Sequence, residues 1–277
     1  MGAIVITGST RGIGRGLADA FLARGRAVVV SGRTEAGVAE AVAALAAKHD
    51  PARVRGVACD VTRAPELEAL WSFAARSFEG VDVWINNAGT CNAAKAYADL
   101  ESDEIASVID SNVRGTMLAS HVALRGMLSQ RGGKLFNMEG WGSRGEWSRG
   151  LTPYCTTKRA LRYFTDVLAR ETRGAGLCVG TLSPGMVATD LLITSWRRGT
   201  PENWRRMRWL FRFVIDPPEP VCAFLADRVL ACRKTGAHYT WMTPWRLLPR
   251  FLRPSYWRRN PVAGTPLDGL GDEPRPG

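Results

Sequence analysis

A short apolar run at 3–7 ends in a glycine-rich turn and passes directly into a segment with helical periodicity. The turn reads Thr7, Gly8, Ser9, Thr10, Arg11, Gly12, Ile13, Gly14. Glycines so placed allow a tight turn, close approach of backbone to a phosphate, and close packing of helix on strand. The start of the helix then offers free N–H groups and the positive end of a dipole to a pyrophosphate. A glycine cluster alone says little, but one set after the first strand and before a helix constrains the fold strongly. Further β-rich apolar runs at 27–31, 54–58, 81–86, 134–138 and 177–182 read as buried parallel strands. Helical patterns at 13–23, 35–48, 65–78, 103–128 and 152–172 separate them. This alternation is that of an α/β doubly wound parallel sheet. A helix near 220–231 and a strand near 237–242 are expected to close it.

Composition narrows the class. The chain has 277 residues, of which 45% are hydrophobic, enough for a full core. It has no run of 18 apolar residues, so no membrane-spanning helix is expected. Residues 3–6 lead straight into the glycine turn, with no secretory signal pattern before it. The six cysteines show neither paired nor metal-ligand spacing and read as reduced thiols of a cytoplasmic protein. The net charge is +11, and after Asp190 fifteen basic residues face seven acidic ones. Only five of the 37 basic residues are lysine, and no nucleic-acid motif accompanies them, so nucleic acid is not an expected partner.

The second strand runs out at Ser31, Gly32, Arg33, about where an acid would hold the 2′-hydroxyl of NAD. Arg33, with Arg11 in the glycine turn, suits a 2′-phosphate instead, so NADP(H) is the expected cofactor. Asp60 and Val61 follow the third strand, placed to meet an adenine, although Asp60 equally suits a turn. Asn86, Asn87, Ala88 and Gly89 follow the fourth; the small residues let the chain pass close to a ribose while the amides brace neighbouring strands.

Tyr154 and Lys158 stand four residues apart, hence on one helix face. A phenol of pKa about 10 is a poor acid-base group at neutral pH, and an ammonium beside it is expected to lower that value. A drop of about three units corresponds to about 4 kcal/mol of differential stabilisation. Such a pair can donate a proton to a carbonyl.

Taken together, Thr7 to Gly14, Asn86 to Gly89, Asn112, Tyr154 with Lys158, and Ser183, Pro184, Gly185 resemble the short-chain dehydrogenases/reductases over about residues 1–240. The resemblance implies a Rossmann-type sheet of about seven strands and hydride transfer between a nicotinamide and a carbonyl or alcohol. It implies Tyr154 as acid/base, Lys158 on the nicotinamide ribose, and Asn112 supporting a proton-relay water. Pro184, Gly185, Val187 and Thr189 would hold the nicotinamide carboxamide. The family usually ends its fifth strand with Asn-Ile-Ser-Ser, whose second serine bonds the substrate carbonyl. Set on Asn137, Met138, Glu139 and Gly140, that slot is Gly140, with Glu139 beside it, and Ser143 lies eleven residues before Tyr154. Ser143 is the expected substitute; Glu139 is either a second acid near the substrate or a capping or salt-bridge carboxylate. The stretch from Phe136 to Ser143, and that from Ser183 to Leu192, are similar to the chlorophyll(ide) b reductase branch, which reduces a formyl group with NADPH.

Residues 1–190 thus read as the NADP-binding and catalytic core, 191–259 as a substrate cover of the same domain, and 260–277 as a disordered Pro/Gly-rich tail. The cover holds Trp196, Trp204, Trp209, Trp241, Trp245 and Trp257 among many arginines. They suit a bulky apolar carbonyl substrate, or shallow contact of 205–215 and 241–252 with an anionic membrane, or core and subunit packing. A homo-oligomer, dimer or tetramer, is expected. The alternatives are a dehydrogenase of a steroid, retinoid or other lipid-like compound, and a non-catalytic NADP-binding scaffold.

Overall fold

A computed structural model of the chain describes residues 2–265 and 267–268. Its centre is a sheet of seven parallel strands in the order β3-β2-β1-β4-β5-β6-β9. The strands are β1 (Ala3–Ile6), β2 (Val28–Gly32), β3 (Val54–Ala58), β4 (Val81–Asn86), β5 (Gly133–Met138), β6 (Leu177–Ser183) and β9 (Ala237–Thr240). A separate pair, β7 (Met186–Val187) and β8 (Ile215–Asp216), lies outside the sheet. Every residue of β1 and β2 is buried, as expected of strands covered on both faces.

Helices α1 (Gly12–Leu22), α2 (Glu35–Ala46) and α9 (Pro218–Ala231) bury Leu17, Phe21, Leu45 and Leu225 on one face of the sheet. Helices α3 (Ala64–Ser77), α5 (Gly115–Ser129) and α6 (Thr152–Glu171) bury Leu67, Leu70, Met127 and Ala169 on the other. The chain winds outward from β1 to β3, then crosses back to β4 and winds the other way. The crevice above the carboxyl ends of β1 and β4 is therefore the switch point where such sheets take ligands.

Three features differ from the sequence reading. The helix expected at 103–128 is broken into α4 (Ser102–Ile109) and α5 by a π-helical turn, Asp110–Arg114, that carries Asn112. Such turns cluster at functional sites because one extra residue re-aims a side chain. The cover is more regular than its sequence suggests, with α7 (Asp190–Arg197), α8 (Pro201–Val214), α10 (Pro244–Leu252) and α11 (Pro254–Arg258). It has its own core, in which Trp196, Trp204 and Phe211 meet edge to face or tilted at 5.3–6.1 Å. The stretch expected to be disordered from 260 on is, where described, packed: Val262 and Leu267 are buried in that core, and Asn260 binds Asp268 at 2.8 Å. The rest of that stretch lies outside the described residues.

Candidate active site

One cavity of about 690 Å³ opens above the carboxyl ends of the strands. Every residue expected to hold the cofactor lines it: Gly8, Thr10, Arg11, Gly12, Ile13, Gly14, Arg33, Asp60, Val61, Asn87, Ala88, Gly89, Tyr154, Lys158, Pro184, Gly185, Val187 and Thr189. The glycine turn is fixed by its backbone. Gly8 and Gly12 have φ of +62° and +57°, the left-handed region that glycine enters without steric cost. A Cβ at Gly14 would lie 2.4 Å from the Gly8 carbonyl oxygen and 2.5 Å from Asn87 Nδ2. That amide donates to the carbonyls of Thr7 and Gly8, both at 2.9 Å, and so braces the turn against the end of β4. Arg11, at the N-cap of α1, makes no side-chain capping bond, and the first residues of the helix line the cavity. An uncapped helix start behind a cradle with no room for a side chain fits a pyrophosphate.

Beyond β2, Arg33 is exposed at the rim, and Thr34 caps α2 by accepting from the Gly37 N–H at 3.3 Å. Thr34, Gly37 and Glu40 also line the cavity and escaped the sequence reading, although a threonine just after a strand is a usable capping signal. Asp60 serves as a turn residue and as cavity wall at once. Burial opposes its charge, but the Thr62 N–H and O–H, at 2.9 and 2.8 Å, with Arg33 and Arg63 nearby, hold its carboxyl below the usual range.

Beneath the site, Asn86 donates to Asn137 at 2.8 Å and to Ser120 at 2.9 Å, and Asn137 donates to Thr165 at 2.9 Å. These fully buried bonds lock β4, β5, α5 and α6 together. Asn112 is also fully buried. Its Nδ2 donates to the Thr90 carbonyl at 2.9 Å and to Thr157 Oγ1 at 3.0 Å, and its Oδ1 accepts from the Thr90 N–H at 2.8 Å. Thr157 in turn donates to the Tyr154 carbonyl at 2.7 Å. Asn112 thus holds the first turn of α6, behind the cavity wall.

Lys158 Nζ lies 5.6 Å from the Tyr154 ring centroid and donates to the Met138 carbonyl at 3.1 Å. Burial raises the Tyr154 phenol above its ordinary value, with Cys91 and Cys155 adding to the effect, and lowers Lys158 to about 8. Lys158 does not by itself bring Tyr154 down, contrary to the expectation from their spacing. Desolvation pushes both groups toward neutrality, and Lys158 at ring distance does not offset it.

The structure does not bring Ser143 to the cavity. Its hydroxyl donates to the Gly140 carbonyl at 2.7 Å and accepts from the Gly140 N–H at 3.1 Å, closing a turn. A Cβ at Gly140 would lie 2.3 Å from Tyr154 Oη and 3.2 Å from Lys158 Cε, so a side chain in that slot would need those two side-chain ends to shift. Glu139 lines the cavity and is buried, with Oε1 on Arg162 at 2.8 Å and Oε2 without a hydrogen-bond partner among the described residues. Trp141, Leu151, Met186, Leu192 and Trp196 give the cavity an apolar side, two of them from α7.

Comparison with known proteins bears on all of this. The family pattern for short chain dehydrogenases matches residues 2–198. The chain is 33% identical over 261 residues to the "Probable chlorophyll(ide) b reductase NYC1, chloroplastic" of Oryza sativa subsp. japonica, covering 88% of this chain and 50% of that protein. It is 33% identical over 239 residues to the "Chlorophyll(ide) b reductase NOL, chloroplastic" of Arabidopsis thaliana, covering 84% of this chain and 67% of that protein. The chain therefore spans about half the length of the first of these relatives. A 3-ketoacyl-(acyl-carrier-protein) reductase from Brucella melitensis, solved with NADH, shares the fold with a TM-score of 0.75 at 24% identity, over 86% of this chain and 96% of that one. The matched stretch takes in the glycine turn, the sheet through β6 and the helix bearing Tyr154 and Lys158, and on that ground the chain belongs to the short-chain dehydrogenase family.

Proposed function

We propose that the protein is an NADPH-dependent carbonyl reductase for a bulky apolar substrate, with a chlorophyll(ide) b-like formyl group as the leading case. One observation carries the reading: the expected cofactor residues, Tyr154 and an apolar wall of Trp141, Leu151, Leu192 and Trp196 share a single cavity. NADPH, when bound, would supply the hydride. Tyr154 gives its proton to the carbonyl oxygen, the role its Oη suits at the cavity wall beside Gly140. Lys158, charged below about pH 8, favours the phenolate left behind. Asn112 fixes the first turn of α6 through Thr157, and so the aim of Tyr154. With Ser143 turned onto Gly140, Tyr154 is the remaining hydroxyl donor of the expected set. Arg33 and Arg11 at the rim support NADPH over NADH. Exposed Ile109, Met117 and Leu128 on α4 and α5, with Tyr163 on α6, support a homo-oligomer. The free cysteines support a reducing compartment such as the cytoplasm.

The test is NADPH oxidation driven by a panel holding chlorophyllide b, simple aromatic aldehydes, and steroid and retinoid ketones. Turnover is expected with formyl substrates, and Tyr154→Phe should lower kcat by about 10²- to 10⁴-fold without loss of cofactor binding. Turnover confined to the steroid or retinoid members would move the assignment to a lipid-like carbonyl. Cofactor binding without turnover of any member would leave a non-catalytic scaffold. Arg33→Asp should move preference toward NADH; a native preference for NADH would remove the argument from the arginines.

A further inference from the structure

Helix α10 carries large apolar side chains on both its sides. Its inward side packs Leu247 and Phe251 against the cover's core and carries two arginines. Arg250, only 7% exposed, places its guanidinium on Asp216 Oδ2 and the Phe213 carbonyl, both at 2.8 Å, and Arg246 lies 3.7 Å from the Trp241 ring centroid. Its outward side carries Trp245, Leu248 and Leu252, which are 83%, 59% and 85% exposed. Spacings of three and seven residues put these side chains on one helix face, so they form a continuous stripe. A helix facing water turns its arginines out and its leucines in. Here the buried Asp216 holds Arg250 inward, and a second apolar stripe is left facing out.

The charge around the stripe points to what meets it. Residues 241–259 contain five arginines and no acidic residue. The neighbouring α8 adds four arginines and one acid, Glu202, which is paired with Arg206 at 2.7 Å. Arg253 and Arg258, both exposed, follow the stripe directly. A second copy of the chain would bring the same arginines against these, which opposes self-association through this face. An anionic lipid surface answers both features, since it takes an indole and leucines at headgroup depth and neutralises the guanidiniums around them. Among the described residues no helix is long and apolar enough to cross a membrane, so the contact is one of surface only.

We propose that the outward face of α10, with Trp245, Leu248 and Leu252 as anchors, docks the protein on anionic lipid bilayers. The experiment is cosedimentation of the full chain with phosphatidylcholine vesicles and with mixed phosphatidylcholine–phosphatidylglycerol vesicles, which needs no turnover and is independent of the proposed reaction. Binding to the mixed vesicles is expected, falling as salt rises. The triple variant W245S/L248S/L252S should bind them at least about 100-fold more weakly, with the thermal midpoint kept because the three side chains are exposed. Failure of the native chain to sediment with anionic vesicles at low salt overturns the proposal. So does a triple variant that binds as well as the native chain. A triple variant that falls from dimer to monomer, with no vesicle binding by the native chain, would assign the stripe to a second copy instead.

Discussion

In the glycine turn, positions are dictated by the backbone. Gly14 faces the Gly8 carbonyl and the Asn87 amide, just past the end of β4, so closely that no side chain fits. In the C-terminal cover, positions are dictated by pairings between charged and polar side chains. Asp216 accepts from Trp241 Nε1 at 2.7 Å and from Arg250 at 2.8 Å, while its backbone pairs with Val187 in the small β7–β8 sheet. Val187 lines the cavity, so an arginine on α10 pins the far wall of the cofactor site through one carboxylate. The two regions meet one cavity under different physics: steric exclusion on one side, a buried charge network on the other.

The comparison breaks most visibly at Arg250. Arg250→Met leaves the buried Asp216 carboxylate without its cation, and breaking such a pair from one side costs about 3–5 kcal/mol. A lower thermal midpoint and weaker cofactor binding are expected, the second because β7 is loosened. An unchanged midpoint would show that Asp216 does not organise the cover. Gly14→Ala is the matching change on the glycine side. Its Cβ must displace the Gly8 carbonyl or the Asn87 amide, costing about 1–3 kcal/mol, with loss of nicotinamide-cofactor affinity in a binding titration. A variant that keeps full affinity would mean the turn relaxes where the steric argument says it cannot. The smallest effect is expected at Glu139. As pH rises through about 8, Lys158 loses its proton, so kcat/KM for the proposed reduction should fall on the alkaline side. Burial lowers the lysine, and Cys91 and Glu139 oppose that. Glu139→Gln should therefore move the alkaline limb to lower pH, and Glu139→Asp should restore it. A limb that does not move would separate Glu139 from Lys158 and leave it as the partner of Arg162.

Much of the fold was legible because buried parallel strands read as unbroken apolar runs, as β1 and β2 do. The cofactor side was legible for the same kind of reason, since its residues outside α6 lie at or close behind strand ends. The break at Asn112 was not, because a π turn adds one residue to a helix with no change of composition to announce it. Ser143 misled because counting residues to Tyr154 cannot show that the loop closes on Gly140, nor that the Tyr154 hydroxyl fills the slot a side chain would need. The six tryptophans of the cover, one group in the sequence, divide in the structure: Trp196 and Trp204 are core, while Trp245 faces out.

The sequence by itself determined the sheet, the place of the glycine turn and the helix face that carries Tyr154 and Lys158, because strand burial, glycine geometry and four-residue spacing are local properties. Tertiary structure decided which groups are partners. A periodic pattern gives α10 apolar residues on two faces but cannot say which is inward; the buried Asp216, 34 residues away from Arg250, selects the face that carries its cation. The charge states of Tyr154 and Lys158 were decided in the same way. Spacing brings the two groups together, but burial sets what each costs to ionise.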